Sequence, residues 1–229
     1  MNKLSSLSNF IKVLGLVLFF PLLNSCNETS ENQKQEPKDV LFTQMPADST
    51  GISFINHVKN EKEFNIFRYR NFYNGAGVGI GDINNDGLPD VYLTSNMGKN
   101  KLYLNQGDFK FKDISKSSGT QGNRSWSTGV TMVDINNDGL LDIYVLNAGN
   151  IEGDDRRNEL FINNGDLTFT EAASEYNLDE DGFTTHAAFF DYDLDGDLDV
   201  YILNNSFIPV SSLGYNNKRE LRGKDWDLP

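Results

Sequence analysis

GVGIGDINNDGLPDVYL (residues 77–93) decides how this chain folds, because close relatives of it return twice further on. GVTMVDINNDGLLDIYV (129–145) and AAFFDYDLDGDLDVYIL (187–203) align with it without gaps across their centres. The first acidic residues, Asp82, Asp134 and Asp191, follow one another at intervals of 52 and 57 residues. A second element repeats as well: NKLYLNQGDFKF from Asn100 matches NELFINNGDLTF from Asn158. The repeating unit is therefore longer than the acidic motif, and a period near 50 residues marks a repeat architecture.

Each unit reads as four short strands. Val78-Gly79-Ile80 precedes the acidic loop and the β-rich Val91-Tyr92-Leu93 follows it. Leu102–Leu104 and Phe109–Phe111 flank a turn at Asn105-Gln106-Gly107-Asp108. No segment from Asp39 onward combines sustained helical periodicity with caps, which argues against a helical solenoid. Four strands per unit is the blade of a β-propeller, in which each blade buries its faces on its neighbours. The expected fold is thus all-β, a propeller of four-stranded blades. Closure takes about four to eight blades, so three loops are expected to be part of a longer, C-terminally truncated propeller. A self-sufficient three-blade domain and closure by oligomerisation are the alternatives.

The acidic loops span 82–90, 134–142 and 191–199. Side-chain oxygens recur at positions 1, 3, 5 and 9: Asp82, Asn84, Asp86 and Asp90; Asp134, Asn136, Asp138 and Asp142; Asp191, Asp193, Asp195 and Asp199. Gly87, Gly139 and Gly196 stand at position 6, where a sharp turn excludes a Cβ. Position 7, held by Leu88, Leu140 and Asp197, would offer its backbone carbonyl. Alternating oxygens on a curled loop aim every second residue at one cation. Oxygen donors without His or Cys suit Ca²⁺, about three ions in all. Mg²⁺ fits less well, since it takes fewer protein ligands. An EF-hand would need Glu at position 12, occupied here by Leu93, Val145 and Ile202, and helical flanks. Metal-free Asx-rich turns are the remaining reading.

From about Gly75 to Leu203 the chain resembles the FG-GAP/VCBS repeats, related to the calcium-bearing blades of integrin α-subunit propellers. The resemblance implies an ion on the loop between the first two strands of each blade. The blade-opening Phe-Gly is replaced by Gly77-Val78-Gly79 and Gly129-Val130. With its N-terminal signal, the chain further resembles Bacteroidota lipoproteins that end in an ASPIC/UnbV domain, which is not among these 229 residues.

That signal occupies residues 1–26. Lys3 and Lys12 supply a positive n-region ahead of an apolar run, Val13–Leu23, too short to span a bilayer comfortably. Leu23-Asn24-Ser25-Cys26 resembles a lipobox, which implies lipidation of Cys26; a cleaved signal peptide with an incidental Cys is the alternative. Cys26 is the sole cysteine, so no internal disulfide can form. Residues 27–38 lack large apolar side chains and read as a flexible tether, leaving 39–229 as the propeller region. The chain is thus expected to be exported and lipid-anchored at the cell envelope, at the outer membrane or cell surface.

Net charge is −13, and residues 27–229 hold 18 basic against 33 acidic residues. That sign argues against nucleic acid and against an anionic membrane surface, membrane contact being left to the anchor. No nucleophile elbow occurs, and G-x-G-x-x-G fails at Ile80. His57 and His186 lie in unrelated contexts and read as surface or packing residues. The loop 150–157 lengthens the second repeat and is a candidate recognition loop, or a plain solvated one. Trp126, Tyr73 and Tyr215 could stack on a sugar, although packing is the commoner use of such rings. The expected function is a calcium-stabilised binding module for a protein or glycan, not an enzyme. An enzyme acting on polysaccharide and a purely structural assembly module are the alternatives.

Overall fold

The computed structural model describes residues 41–149 and 155–205. The chain divides into Met1–Gln44 and Met45–Pro229, and every element below belongs to the second unit. Cys26, the tether, Tyr215 and most of the loop 150–157 lie outside the described residues.

Strands β1 (Val78–Gly81), β2 (Asp90–Leu93), β3 (Lys101–Asn105) and β4 (Phe111–Asp113) form one antiparallel sheet in sequence order. Strands β5 (Ser127–Val133), β6 (Asp142–Asn147), β7 (Glu159–Asn163) and β8 (Phe169–Glu171) repeat that meander. A third hairpin pairs β9 (Thr184–Phe190) with β10 (Asp199–Asn204). The expected all-β, four-stranded blades are therefore present, two in full and the inner half of a third. Among the described residues two helical turns accompany them: α1 (Ala47–Thr50) and, directly after β4, α2 (Ser115–Ser118). No helix among the described residues is long and apolar enough to cross a membrane.

The outer hairpin differs in one detail from the sequence reading. Its last strand starts at Phe111, not Phe109. Phe109 has φ 55°, and Leu167, at the matching place in the second blade, has φ 66°. Both belong to the turn. The Asn105 side chain accepts the Gly107 amide at 2.9 Å, and Asn163 accepts Gly165 at 3.0 Å. These Asx turns compete with strand pairing and take the chain through further left-handed residues, Asp108 and Phe109 before β4 and Leu167 before β8.

β6 explains how the blades stack. All six of its residues are buried, because a blade flanked on both sides has no solvent face. Its alternation sorts side chains into two cores. Ile143 and Val145 join Ile83, Tyr92 and Leu102 of the first blade. Tyr144 and Leu146 join Leu160, Leu178 and Ala187, on the side of the third hairpin. Burying each such side chain is worth about 1.5–3 kcal/mol.

The first strands approach too closely for side chains at certain points. A Cβ on Gly77 would lie 2.7 Å from the Gly129 Cα, and one on Gly129 would lie 2.5 Å from the Thr185 carbonyl oxygen. The glycine-rich openings of these repeats are thus packing features. Threonines then link neighbours directly: Thr131 donates its hydroxyl to Ala187 O at 2.9 Å.

A third cluster lies outside the blades. Phe64, Tyr69, Phe72 and Trp126 pack together with Ala148. Trp126 meets Phe64 edge-on at 4.7 Å and is only 2% exposed, so it is a core residue and not a free stacking platform. Tyr73 is exposed, and its hydroxyl accepts a hydrogen bond from the Asn60 amide.

Candidate metal centre

Each acidic loop joins the first two strands of a repeat: 82–90 links β1 to β2, 134–142 links β5 to β6 and 191–199 links β9 to β10. The flanks are strands, not the helices of an EF-hand. The loops curl in the same way. Position 4 is left-handed in all three, at Asn85 (φ 57°), Asn137 (58°) and Leu194 (64°). Position 6 follows with Gly87 (φ 85°), Gly139 (86°) and Gly196 (97°), each facing open space. A Cβ would find room there, so backbone conformation is what calls for glycine.

The position-1 carboxylate organises the turn. Asp82 accepts the amides of Asp86 at 3.1 Å and Gly87 at 2.7 Å. Asp134 accepts those of Asp138 and Gly139, and Asp191 those of Asp195 and Gly196. Position 5 folds back on position 7: Asp86 accepts the Leu88 amide, Asp138 that of Leu140 and Asp195 that of Asp197. The side chains at positions 1, 3 and 5 are thereby gathered. In the third loop, carboxylate oxygens of Asp191, Asp193 and Asp195 all lie within 4.8 Å of one another. In the first two loops an amide holds position 3, and Asn84 and Asn136 donate to Asp86 and Asp138 at 3.0 and 2.9 Å.

Position 9 has a second task that the spacing did not reveal. Asp90 is fully buried and accepts the amides of Ile83 at 3.0 Å and Asn105 at 2.7 Å. Asp142 accepts Ile135 and Asn163 in the same way. Each carboxylate therefore ties its loop to the third strand of its own blade. One lone pair on each oxygen stays available, since a carboxylate offers about four acceptor sites. Burial pushes both carboxyls up from their ordinary range, their two amide partners pull them back, and neighbouring loop carboxylates push them up further. Asp199 accepts the Tyr192 amide at 2.8 Å and is exposed, in a hairpin described only as far as Asn205.

The donor set fits a hard cation. Three carboxylates and an amide oxygen in each of the first two loops, or four carboxylates in the third, would converge with the position-7 carbonyl and no nitrogen or sulfur donor. Within the third loop, Asp195 is held below the usual range by the Asp197 amide, while Asp197 is pushed up by its side-chain hydrogen bond with Asp195. Like charges this close oppose one another's ionisation, and a cation between them would relieve that repulsion.

Asn105 and Asn163, which open the Asn-x-Gly-Asp turn within the second repeated element, also belong to the loop supports. Asn105 donates to Pro89 O at 2.8 Å, and Asn163 donates to Leu141 O and, across the blade boundary, to Ile83 O at 2.8 Å. Asn85 donates to Gly139 O at 2.9 Å, joining the first loop to the second. The recurrence of Asn-x-Gly-Asp after the first two loops was the available signal for the first pair; nothing local marks Asn85. His57 and His186 are both exposed and far apart in role, as expected of surface residues.

Comparison with known proteins agrees with this geometry. The FG-GAP-like repeat model matches residues 82–145 and 148–202. Cartilage acidic protein 1 of Xenopus tropicalis is 30% identical over 160 residues, covering 69% of this chain and 23% of that protein. The Homo sapiens protein of that name is 29% identical over 134 residues, 58% of this chain and 20% of its own length. Integrin alpha-8 of Gallus gallus is 29% identical over 131 residues, 51% of this chain and 12% of that protein. The match thus spans less than a quarter of each of these relatives.

Proposed function

This chain belongs to the FG-GAP-like repeat family, and we propose that it is a calcium-stabilised propeller binding module, lipid-anchored through Cys26 at a bacterial cell envelope. The supporting observation is the convergence of the carboxylates at positions 1, 3 and 5 in the third loop, within 4.8 Å, on a turn whose backbone is repeated in the other two. Asp82, Asn84, Asp86, the Leu88 carbonyl and Asp90 would hold the first ion. Asp134, Asn136, Asp138, the Leu140 carbonyl and Asp142 would hold the second, and Asp191, Asp193, Asp195, the Asp197 carbonyl and Asp199 the third. The ion supplies charge neutralisation and no reaction. The chain's own residues do the rest: they curl the loops and, through Asp90 and Asp142, tie each to its outer hairpin.

The binding role rests on the family, and the anchor on the sequence of the leader. A protein or glycan at the envelope is the ligand class. Catalysis has no support in the described residues, where the two histidines are exposed and the buried carboxylates serve the loops or the blade interior. Two measurements on the full chain test the reading. Chelation with EDTA should lower the melting temperature, and added Ca²⁺ should restore it. Cys26→Ser should move the protein expressed in a bacterium from the membrane to the soluble fraction. A melting temperature indifferent to chelator would remove calcium from the account; an unmoved Cys26→Ser would remove the anchor.

A further inference from the structure

At the end of the strands opposite the acidic loops lies a cleft of about 290 Å³. It sits where β5 and β9 begin, and is lined by Tyr69, Asn71, Asn74, Thr128, Thr185 and Asn205. This is near the small end of ligand pockets, which run from about 300 to 1,000 Å³. Its lining contains no charged side chain, in a chain of net charge −13. Amides and hydroxyls, which both donate and accept, provide most of its walls.

Tyr69 points to an occupant. The residue is 2% exposed, yet its hydroxyl has no hydrogen-bond partner. Leaving a buried hydroxyl unpaired costs about 1–3 kcal/mol. The Asn71 side chain is close enough to oppose, in part, the burial that pushes the phenol to about 12, but it lacks the geometry of a hydrogen bond. The ring itself is fixed, stacked on Phe64 at 5.7 Å and edge-on to Trp126 at 5.6 Å, so the hydroxyl cannot swing away to find water. The neighbouring polar groups are partly committed. Thr128 donates to Thr184 O at 2.6 Å and Thr185 to Leu203 O at 3.2 Å, which leaves both hydroxyl oxygens as acceptors. Asn74 donates to the Asn71 oxygen at 3.1 Å, leaving the Asn71 amide nitrogen and the Asn74 oxygen as donor and acceptor toward the cleft. Gly75 beside them has open space where a Cβ would stand.

We propose that this cleft is a binding site for a neutral saccharide, a single sugar ring, with the Tyr69 hydroxyl and the Asn71 amide bonding its hydroxyl groups. A ligand with several hydroxyls satisfies alternating donors and acceptors at once. An anion would find no cation in the lining, and an apolar ligand would strand the amides. The proposal deepens the binding-module reading, from which it takes its premise, and narrows the ligand class to glycan.

The test is saturation-transfer NMR on the calcium-loaded full chain. D-glucose, D-galactose, D-mannose and N-acetyl-D-glucosamine at millimolar concentration are the probes, with sodium phosphate as the charged control. At least one sugar should bind and phosphate should not. Tyr69→Phe keeps the ring and its packing and removes the unpaired hydroxyl, so the variant should melt no lower than the natural chain while weakening that sugar about tenfold, near the upper range for one hydrogen bond. Asn71→Ala, on a half-buried turn, should weaken it comparably. Sugar binding indifferent to both substitutions would overturn this site while leaving the binding-module reading intact. Binding of none of the four sugars by a protein with a normal calcium-dependent melt would overturn the saccharide assignment alone.

Discussion

Tyr92 and Tyr144 occupy the same place, ten residues after the first loop Asp, and do the same work. Both are fully buried, and each closes its blade by donating to a carbonyl: Tyr92 to Thr120 O at 2.6 Å, Tyr144 to Leu178 O at 2.8 Å. Tyr92→Phe should cost about 1 kcal/mol by losing that bond while keeping the ring, measured as a lower midpoint in urea unfolding with unchanged slope. Gly139 takes φ 86° with open space around it, so Gly139→Ala should cost about 1 kcal/mol from backbone strain alone, read in the same assay. Asp86→Ala should reduce bound calcium by one ion in native mass spectrometry, whereas Leu88→Ala, which keeps its carbonyl, should not. The repeated loop turn was legible because Asp or Asn recurs at positions 1, 3, 5 and 9, with Gly at 6, in all three loops. The clamp made by Asp90 was not, because an aspartate bound by two amides spells the same letter as one bound to a metal. Tyr69 was invisible for a related reason: an unpaired hydroxyl is a property of its surroundings.

Among elements, β6 shows what the repeat pattern could and could not disclose. Asp142-Ile143-Tyr144-Val145-Leu146-Asn147 reads as a strand from composition, and its burial on both faces follows once blades stack. The fourth strand of the first blade was placed two residues early, since the left-handed Phe109 is apolar and looks like a strand residue. The close approach of Gly129 to Thr185 gives an element-scale prediction. Gly129→Ala should push the second blade away from the β9–β10 hairpin. Hydrogen exchange should then accelerate in β9 and β10 while β1–β4 keep their protection. Uniform acceleration across both blades would mean the contact is not local.

At the scale of the molecule, the repeat stacks two blades and a further hairpin, with their acidic loops on equivalent corners. One buried group outside those loops sets a pH dependence. Glu159 is 2% exposed, with one oxygen accepting the Asn123 amide at 2.8 Å and the other unpaired. Burial pushes its carboxyl up, opposed by that amide and by Arg124. A raised folded value means that its stabilising contribution is full below the ordinary glutamate range and lost as pH rises through the folded value. Glu159→Gln should therefore gain on the natural chain at neutral pH, and the difference in melting temperature should narrow on acidification to about pH 5. A difference constant with pH would place the ionisation elsewhere.

The central claim is that three repeated loops are three calcium sites that hold the blades, and calorimetric titration of the full chain with Ca²⁺ tests it most directly. Three ions bound per chain, with a melting temperature that climbs as they load, is the predicted result. A folded chain that binds no calcium would contradict it.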